Sequence, residues 1–186
     1  MRLFTGIDLT AEVIANLEDL LQRLKPAAQI NWSPPPNLHI TTKFIGNWPE
    51  ERLAELSSSL AALPGREPFA ISIEKLGFFP NPHSPRVFWA GVHAGDDLAR
   101  LARDTEEAAA ALGVAKEERA YSPHLTLARI KIPGRQSALL QAVAKLPSLE
   151  FGRFVADRFY LYQSRTSPSG SVYTKLAEFP LARVTR

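Results

Sequence analysis

Ser122-Pro123-His124-Leu125-Thr126-Leu127-Ala128-Arg129 and, earlier, Pro36-Asn37-Leu38-His39-Ile40-Thr41-Thr42 share one layout: a proline-containing loop, a histidine, and a threonine two places on. Each reads as the start of a β-strand, rich in aliphatic and β-branched residues and free of helical periodicity. In a strand, residues i and i+2 project from the same face about 6.5 Å apart. An imidazole and a hydroxyl therefore stand side by side in each copy, with the aliphatic residue between them turned to the other face. The copies lie one per half of the chain, a distant internal echo with no short-period repeat around it.

Working outward from the first copy, His39–Ile45 is a strand closed by Gly46. Ahead of it, Arg2–Leu9 reads as a strand, with Asp8 and Thr10 as candidate helix caps. Val13, Leu17, Leu20, Leu21 and Leu24 then recur at helical spacing up to Pro26, and Ile30–Trp32 is a short extended piece before the stiff loop Ser33-Pro34-Pro35-Pro36. Leu53, Leu56, Leu60 and Leu63 mark a second amphipathic helix, ended by Pro64-Gly65. From Phe69 the period changes to two, and Arg86–Val92 is another strand, which makes Leu76–Pro85 the hairpin connection. Asp97–Leu112 is a third helix, stopped by Gly113. The second copy opens a strand, His124–Ile130. A helix near Ser137–Leu146 follows, and then two long strands, Phe154–Ser164 and Val172–Phe179, joined at Ser167-Pro168-Ser169-Gly170. Hairpins and short helical excursions predict an α+β fold with antiparallel sheets, not a doubly wound parallel one.

The chain has 186 residues, of which 45% are hydrophobic, enough for a real core. It has no cysteine, which excludes disulfides, thiolate metal sites and a Cys nucleophile. The net charge of +3 suits a polyanionic substrate and equally suits plain solubility. The start MRLFTGIDLT has no apolar signal-peptide core, and no run reaches the roughly 18 apolar residues that cross a bilayer, so a cytoplasmic protein is expected.

The chemistry lies in the pairing. There are four histidines, and two of them have Thr two places on. A lone His-x-Thr is most simply a strand-edge histidine with threonine as a β-former; two copies in matching contexts point to a shared site. Imidazole moves protons near neutral pH, and a neighbouring hydroxyl can donate to a phosphoryl oxygen as charge builds there. In-line displacement at a phosphodiester needs one group to activate the nucleophile and another to protonate the leaving oxygen, and two imidazoles supply both without a metal. No carboxylate lies within five residues of His39 or His124, and neither motif has metal-ligand spacing. There is no P-loop, dinucleotide fingerprint or G-x-S-x-G elbow, so no cofactor is expected. His83 and His93 read as surface residues without a role.

His39-Ile40-Thr41-Thr42 and His124-Leu125-Thr126-Leu127 resemble the paired His-x-Thr-x motifs of the two-histidine phosphoesterase superfamily, and within it the RNA 2',3'-cyclic phosphodiesterase family, also called the 2'-5' RNA ligase family. Arg2-Leu3-Phe4, Asn37-Leu38, Lys43-Phe44-Ile45-Gly46, Pro123 through Arg129, Leu161-Tyr162-Gln163-Ser164 and Gly170…Tyr173 extend the likeness from end to end. The resemblance implies a bilobal α+β fold with residues 1–186 as one two-lobed domain. Two antiparallel sheets would face a central cleft, with helices outside and pseudo-two-fold symmetry. It implies opening of a terminal 2',3'-cyclic phosphate on RNA to leave a 2'-phosphate, by a monomer that uses no metal. Some family members run the reverse chemistry and join tRNA halves through a 2'-5' linkage in vitro. Ligation, and a non-catalytic module that binds RNA ends, are the alternative functions.

By the same resemblance His39 is the proton donor to the leaving 3'-oxygen and His124 the proton acceptor that activates water. Thr41 and Thr126 bind phosphoryl oxygens, and Arg129 matches the family's phosphate-binding arginine. Strict alternation from His124 aims Arg129 away from the cleft, so it reaches a phosphate only through a bulge or the strand's end. Thr42 stands where the family usually has an apolar residue. Alternation places it on the core side with Ile40 and Phe44, where a threonine can satisfy its hydroxyl locally. Phe4 and Phe44 are read as core residues with base stacking as the alternative. Tyr162, Ser164 and Tyr173 have no defined role, and Lys43, Arg119 and Lys175 are basic residues available to an RNA backbone.

Overall fold

In the computed structural model, which describes residues 1–182, Thr10 starts the first helix as a side-chain cap, its hydroxyl accepting from the Val13 amide at 3.4 Å. This helix, α1 (Ala11–Leu24), buries the stripe Val13, Leu17, Leu20, Leu21 and Leu24. Removing one such side chain to Ala costs roughly 2–5 kcal/mol in a packed core. Before it lies β1 (Arg2–Ile7); after it come β2 (Asn31–Trp32) and β3 (Ile40–Asn47). The chain continues through α2 (Leu53–Ala61), β4 (Phe69–Phe79), β5 (Val87–His93), α3 (Gly95–Ala111), β6 (His124–Arg129) and α4 (Ser137–Ala144). It ends with β7 (Glu150–Ala156), β8 (Arg158–Ser167) and β9 (Gly170–Pro180).

These strands form two antiparallel sheets, one in the order β3-β1-β8-β9 and the other β2-β6-β5-β4-β7. The α+β, two-lobed expectation holds. Each lobe has a central strand flanked by one strand that carries a His-x-Thr motif: β1 beside β3, and β5 beside β6. The helices cross over. α1 follows β1 but packs on β7 of the other sheet, while α3 follows β5 but packs on β3. Each lobe is therefore covered by a helix that the other lobe's strand delivers.

Two stretches differ from the sequence reading. Leu76–Phe79 belongs to β4 and is not part of the hairpin loop. Register breaks around Glu74 and Lys75, where Lys75 has a φ of 68°, interrupt the alternation and disguise one strand as a strand plus a loop. Phe154–Ser164 is two strands, not one: β7 ends at Ala156 in one sheet and β8 begins at Arg158 in the other. The inward-facing Phe154, Ala156, Phe159 and Leu161 keep an apolar pattern running through the crossing.

Candidate active site

In both motif strands the residue after the threonine is a β-bulge. Gly6 pairs with Thr41 and Thr5 with Lys43, so Thr42 has no register partner on β1. Trp89 pairs with Thr126 and Phe88 with Ala128, so Leu127 is likewise skipped on β5. One extra residue switches the face on which every later side chain emerges. The consequences are parallel in the two strands. Ala128 is fully buried and Arg129 is exposed on the cleft face, where its charge acts on His39. Lys43 turns away from the cleft, and its ammonium lies 2.8 Å from Glu106 and 3.0 Å from the Ala115 carbonyl, which it reaches as a donor. Phe44 turns the other way and is 55% exposed.

Arg129 thus follows the bulge alternative, and two expectations are corrected. Phe44 is not core: only Thr42 stays inside with Ile40, its hydroxyl 2.7 Å from that of Thr5. Lys43 is not available to an RNA backbone, because it is buried in an ion pair beneath α3.

The imidazoles are held in the same way. Nδ1 of His39 lies 2.7 Å from the Asn37 carbonyl, and Nδ1 of His124 lies 2.8 Å from the Ser122 carbonyl. A carbonyl only accepts, so the proton sits on Nδ1 in both rings and Nε2 is the nitrogen left for chemistry. The His39 Nε2 is 2.9 Å from the Thr41 hydroxyl. Burial pushes the His39 pKa below its ordinary value, and the charges of Arg129 and His124 push it further down; the Asn37 hydrogen bond and Asp8 oppose them.

Their surroundings differ. His39 is walled by Phe4, Tyr162 and Tyr173, at ring separations of 4.7, 6.0 and 5.2 Å. Phe4 itself is buried and stacks on Tyr162, so its placement in the core holds, in the wall behind the imidazole. The Tyr162 hydroxyl donates to Asp8 at 3.4 Å, and burial together with Asp8 keeps it protonated far above neutral pH. Asp8 also pairs with Lys175, whose ammonium lies over the Tyr160 ring. Among the described residues the one aromatic ring beside His124 is Phe79, perpendicular at 5.1 Å. Trp89, opposite Thr126 and hence on the cleft face, lies over Gly77, where any Cβ would strike its ring at 2.2 Å.

Crossed hydrogen bonds fasten the motifs to each other. Tyr121, three residues before His124, donates its hydroxyl to the Thr41 carbonyl at 2.8 Å. Ser33, on the loop leading to His39, donates its hydroxyl to the Thr126 carbonyl at 2.9 Å and its amide to the Leu127 carbonyl at 2.8 Å. The loop that introduces each histidine is thus tied to the other motif strand. Sequence reasoning did not single out Tyr121, Ser33, Phe79, Trp89 or Gly6. Gly6 did leave a signal, as an isolated glycine inside a strand pattern: a Cβ there would stand 2.8 Å from the Ile40 carbonyl oxygen and 3.5 Å from the His39 ring. Among the described residues no cluster of three or more His, Cys, Asp or Glu is placed to hold a metal ion. Among the same residues no helix is long and apolar enough to cross a membrane.

Two facing antiparallel lobes, each giving one Nδ1-anchored His-x-Thr strand to a shared cleft, define a two-histidine phosphoesterase. The family described as LigT like Phosphoesterase matches residues 7–89 and 92–173. The chain is 36% identical over 179 residues to an RNA 2',3'-cyclic phosphodiesterase of Archaeoglobus fulgidus, covering 96% of this chain and 99% of that one. It is 34% identical to the protein of that name from Methanothermobacter thermautotrophicus, covering 97% and 99%. A crystal structure from Thermus thermophilus superposes over the whole of both chains with a TM-score of 0.80 at 32% identity. Escherichia coli LigT complexed with 3'-AMP superposes over 98% of both with a TM-score of 0.79 at 25% identity. The chain belongs to the LigT-like phosphoesterase family, and its activity is that of a phosphoesterase.

Proposed function

We propose that this enzyme hydrolyses RNA 2',3'-cyclic phosphate ends to 2'-phosphomonoesters by acid–base catalysis between His39 and His124, without a metal. The observation that carries the proposal is the matched tautomer: both rings donate from Nδ1 to a carbonyl two residues back, so both present Nε2. His124 takes the proton of the attacking water at Nε2. His39, protonated, gives its Nε2 proton to the leaving 3'-oxygen. The P–O3' bond breaks as the bond from water to phosphorus forms, and the 2'-oxygen keeps the phosphate.

The depressed pKa of His39 favours its neutral form in the free enzyme. The phosphate anion acts in the opposite direction, so substrate binding itself charges the acid. Thr41 and Thr126 donate to the phosphoryl oxygens, and Arg129 pairs with the anion through a charge-assisted bond. Phe44, exposed on the cleft side, offers a face to the terminal base. One chain supplies both motifs, so a monomer suffices.

The relatives named RNA 2',3'-cyclic phosphodiesterase support the substrate class. The test is to convert RNA ending in a 2',3'-cyclic phosphate and identify the product, with EDTA in a parallel reaction. A 2'-phosphate formed at an unchanged rate in EDTA is expected. A 3'-phosphate product would overturn the assigned leaving oxygen, and loss of activity in EDTA would overturn the metal-free chemistry.

A further inference from the structure

Residues 75–95 and 119–149 contain no Asp or Glu. Two loops from these stretches, 80–86 and 130–136, lie side by side where β6 ends. The Ile130 amide donates to the Arg86 carbonyl at 2.8 Å, and the Arg86 guanidinium donates to the Lys131 carbonyl at 3.0 Å. The first loop is stiffened by Asn81, whose side-chain oxygen accepts from the amides of His83 and Ser84 at 2.9 and 3.0 Å. Arg86, Lys131 and Arg135 are all exposed, and none forms an ion pair among the described residues. Between the last two cations Ile132 is 81% exposed. In the other sheet Lys175 is paired with Asp8, and Lys43 is buried away from the cleft against Glu106.

Unpaired cations therefore run on from Arg129 along this rim. Unpaired cations with an apolar side chain among them, and no carboxylate in either contributing stretch, make a surface suited to single-stranded nucleic acid. We infer that the rim of Arg86, Lys131 and Arg135 holds the RNA body, binding phosphates of nucleotides on the 5' side of the reacting end, with Ile132 against a base. This rests on an RNA end being the substrate, and it assigns the polymer a path that the two motifs do not specify.

The test compares wild type with Lys131→Gln/Arg135→Gln, whose side chains have no hydrogen-bond partner among the described residues. The readouts are binding of a single-stranded RNA about ten nucleotides long with a 2'-phosphate end, by fluorescence anisotropy, and turnover of that RNA's cyclic form and of a mononucleoside 2',3'-cyclic phosphate. The double variant is expected to bind the oligomer about tenfold more weakly at low salt. Its salt slope should flatten by between one and two, since each phosphate contact on a single strand contributes about 0.7. Mononucleotide turnover should stay within about twofold of wild type, since the rim is electrostatic positioning and not reacting machinery. Equal oligomer binding by the two proteins, or equal loss on oligomer and mononucleotide, would overturn the inference. A wild type that binds the oligomer through the rim but turns neither substrate over keeps the surface and sinks the reaction instead. Arg86→Gln added to the pair, with thermal unfolding as control, should deepen the loss for the oligomer alone.

Discussion

His39 and His124 begin from the same three-residue pattern and the same Nδ1 anchor, yet they stand in different surroundings. His39 is pressed among Phe4, Tyr162 and Tyr173, with Thr41 on its Nε2. His124 has a single aromatic edge beside it, and its Nε2 has no hydrogen-bond partner among the described residues. The difference comes from the neighbouring strands, since β1, β8 and β9 build the wall around His39, and among the described residues nothing equivalent covers His124. A repeated motif thus sets the tautomer twice, while other strands decide what surrounds each ring. Desolvation lowers the His39 pKa through residues distant in sequence.

The comparison is tested most severely by removing each ring. His39→Ala and His124→Ala should each lower kcat on cyclic-phosphate RNA by at least about 10²-fold, the range for losing a general acid or base. Wild-type turnover by either variant would end the paired mechanism.

A smaller effect concerns the two bulges, one carrying Thr42 and the other Leu127. Thr42 shares a buried hydrogen bond with Thr5, so Thr42→Val leaves a hydroxyl stranded and should cost about 1–3 kcal/mol in denaturant unfolding. Thr5→Val/Thr42→Val removes both partners and should recover most of that loss. If the double variant is no more stable than the single one, the bond is not what accommodates threonine at this position.

The smallest expected effect is on titration. The folded-state pKa of His39 lies below the ordinary value of 6.5, so between those two values the unfolded chain binds a proton that the folded protein does not. Stability from this group is complete above 6.5 and declines as pH falls through that value to the folded pKa. NMR titration should place the His39 ring below 6.5, and inorganic phosphate should move it upward. In His39→Gln this part of the acid-side decline should vanish. A His39 pKa at or above 6.5 in the free enzyme would overturn the desolvation of this ring.

Much of the architecture is legible in the chain. The stripe from Val13 to Leu24 announces α1, and both His-x-Thr strands are readable because a period of two puts histidine and threonine on one face. What escapes are places where the period is broken by a single residue. The bulges at Thr42 and Leu127 leave no compositional mark, so the sequence alone places Phe44 in the core and leaves the direction of Arg129 open. The crossing at Asp157 is hidden by the same cause in reverse: apolar residues continue in step on both sides of it while the chain changes sheets. Tyr121 and Ser33 are invisible because each acts on a backbone carbonyl, Thr41 or Thr126, 80 and 93 residues away.

By itself, then, the sequence determined that two of the histidines each have a hydroxyl beside them, because that follows from local strand geometry. Only the tertiary structure decided that the two strands meet, that Arg129 turns into the cleft while Lys43 turns out of it, and that His39 is desolvated while His124 is less enclosed. Those outcomes depend on register and on packing between elements, and neither is encoded within reach of a strand's own period.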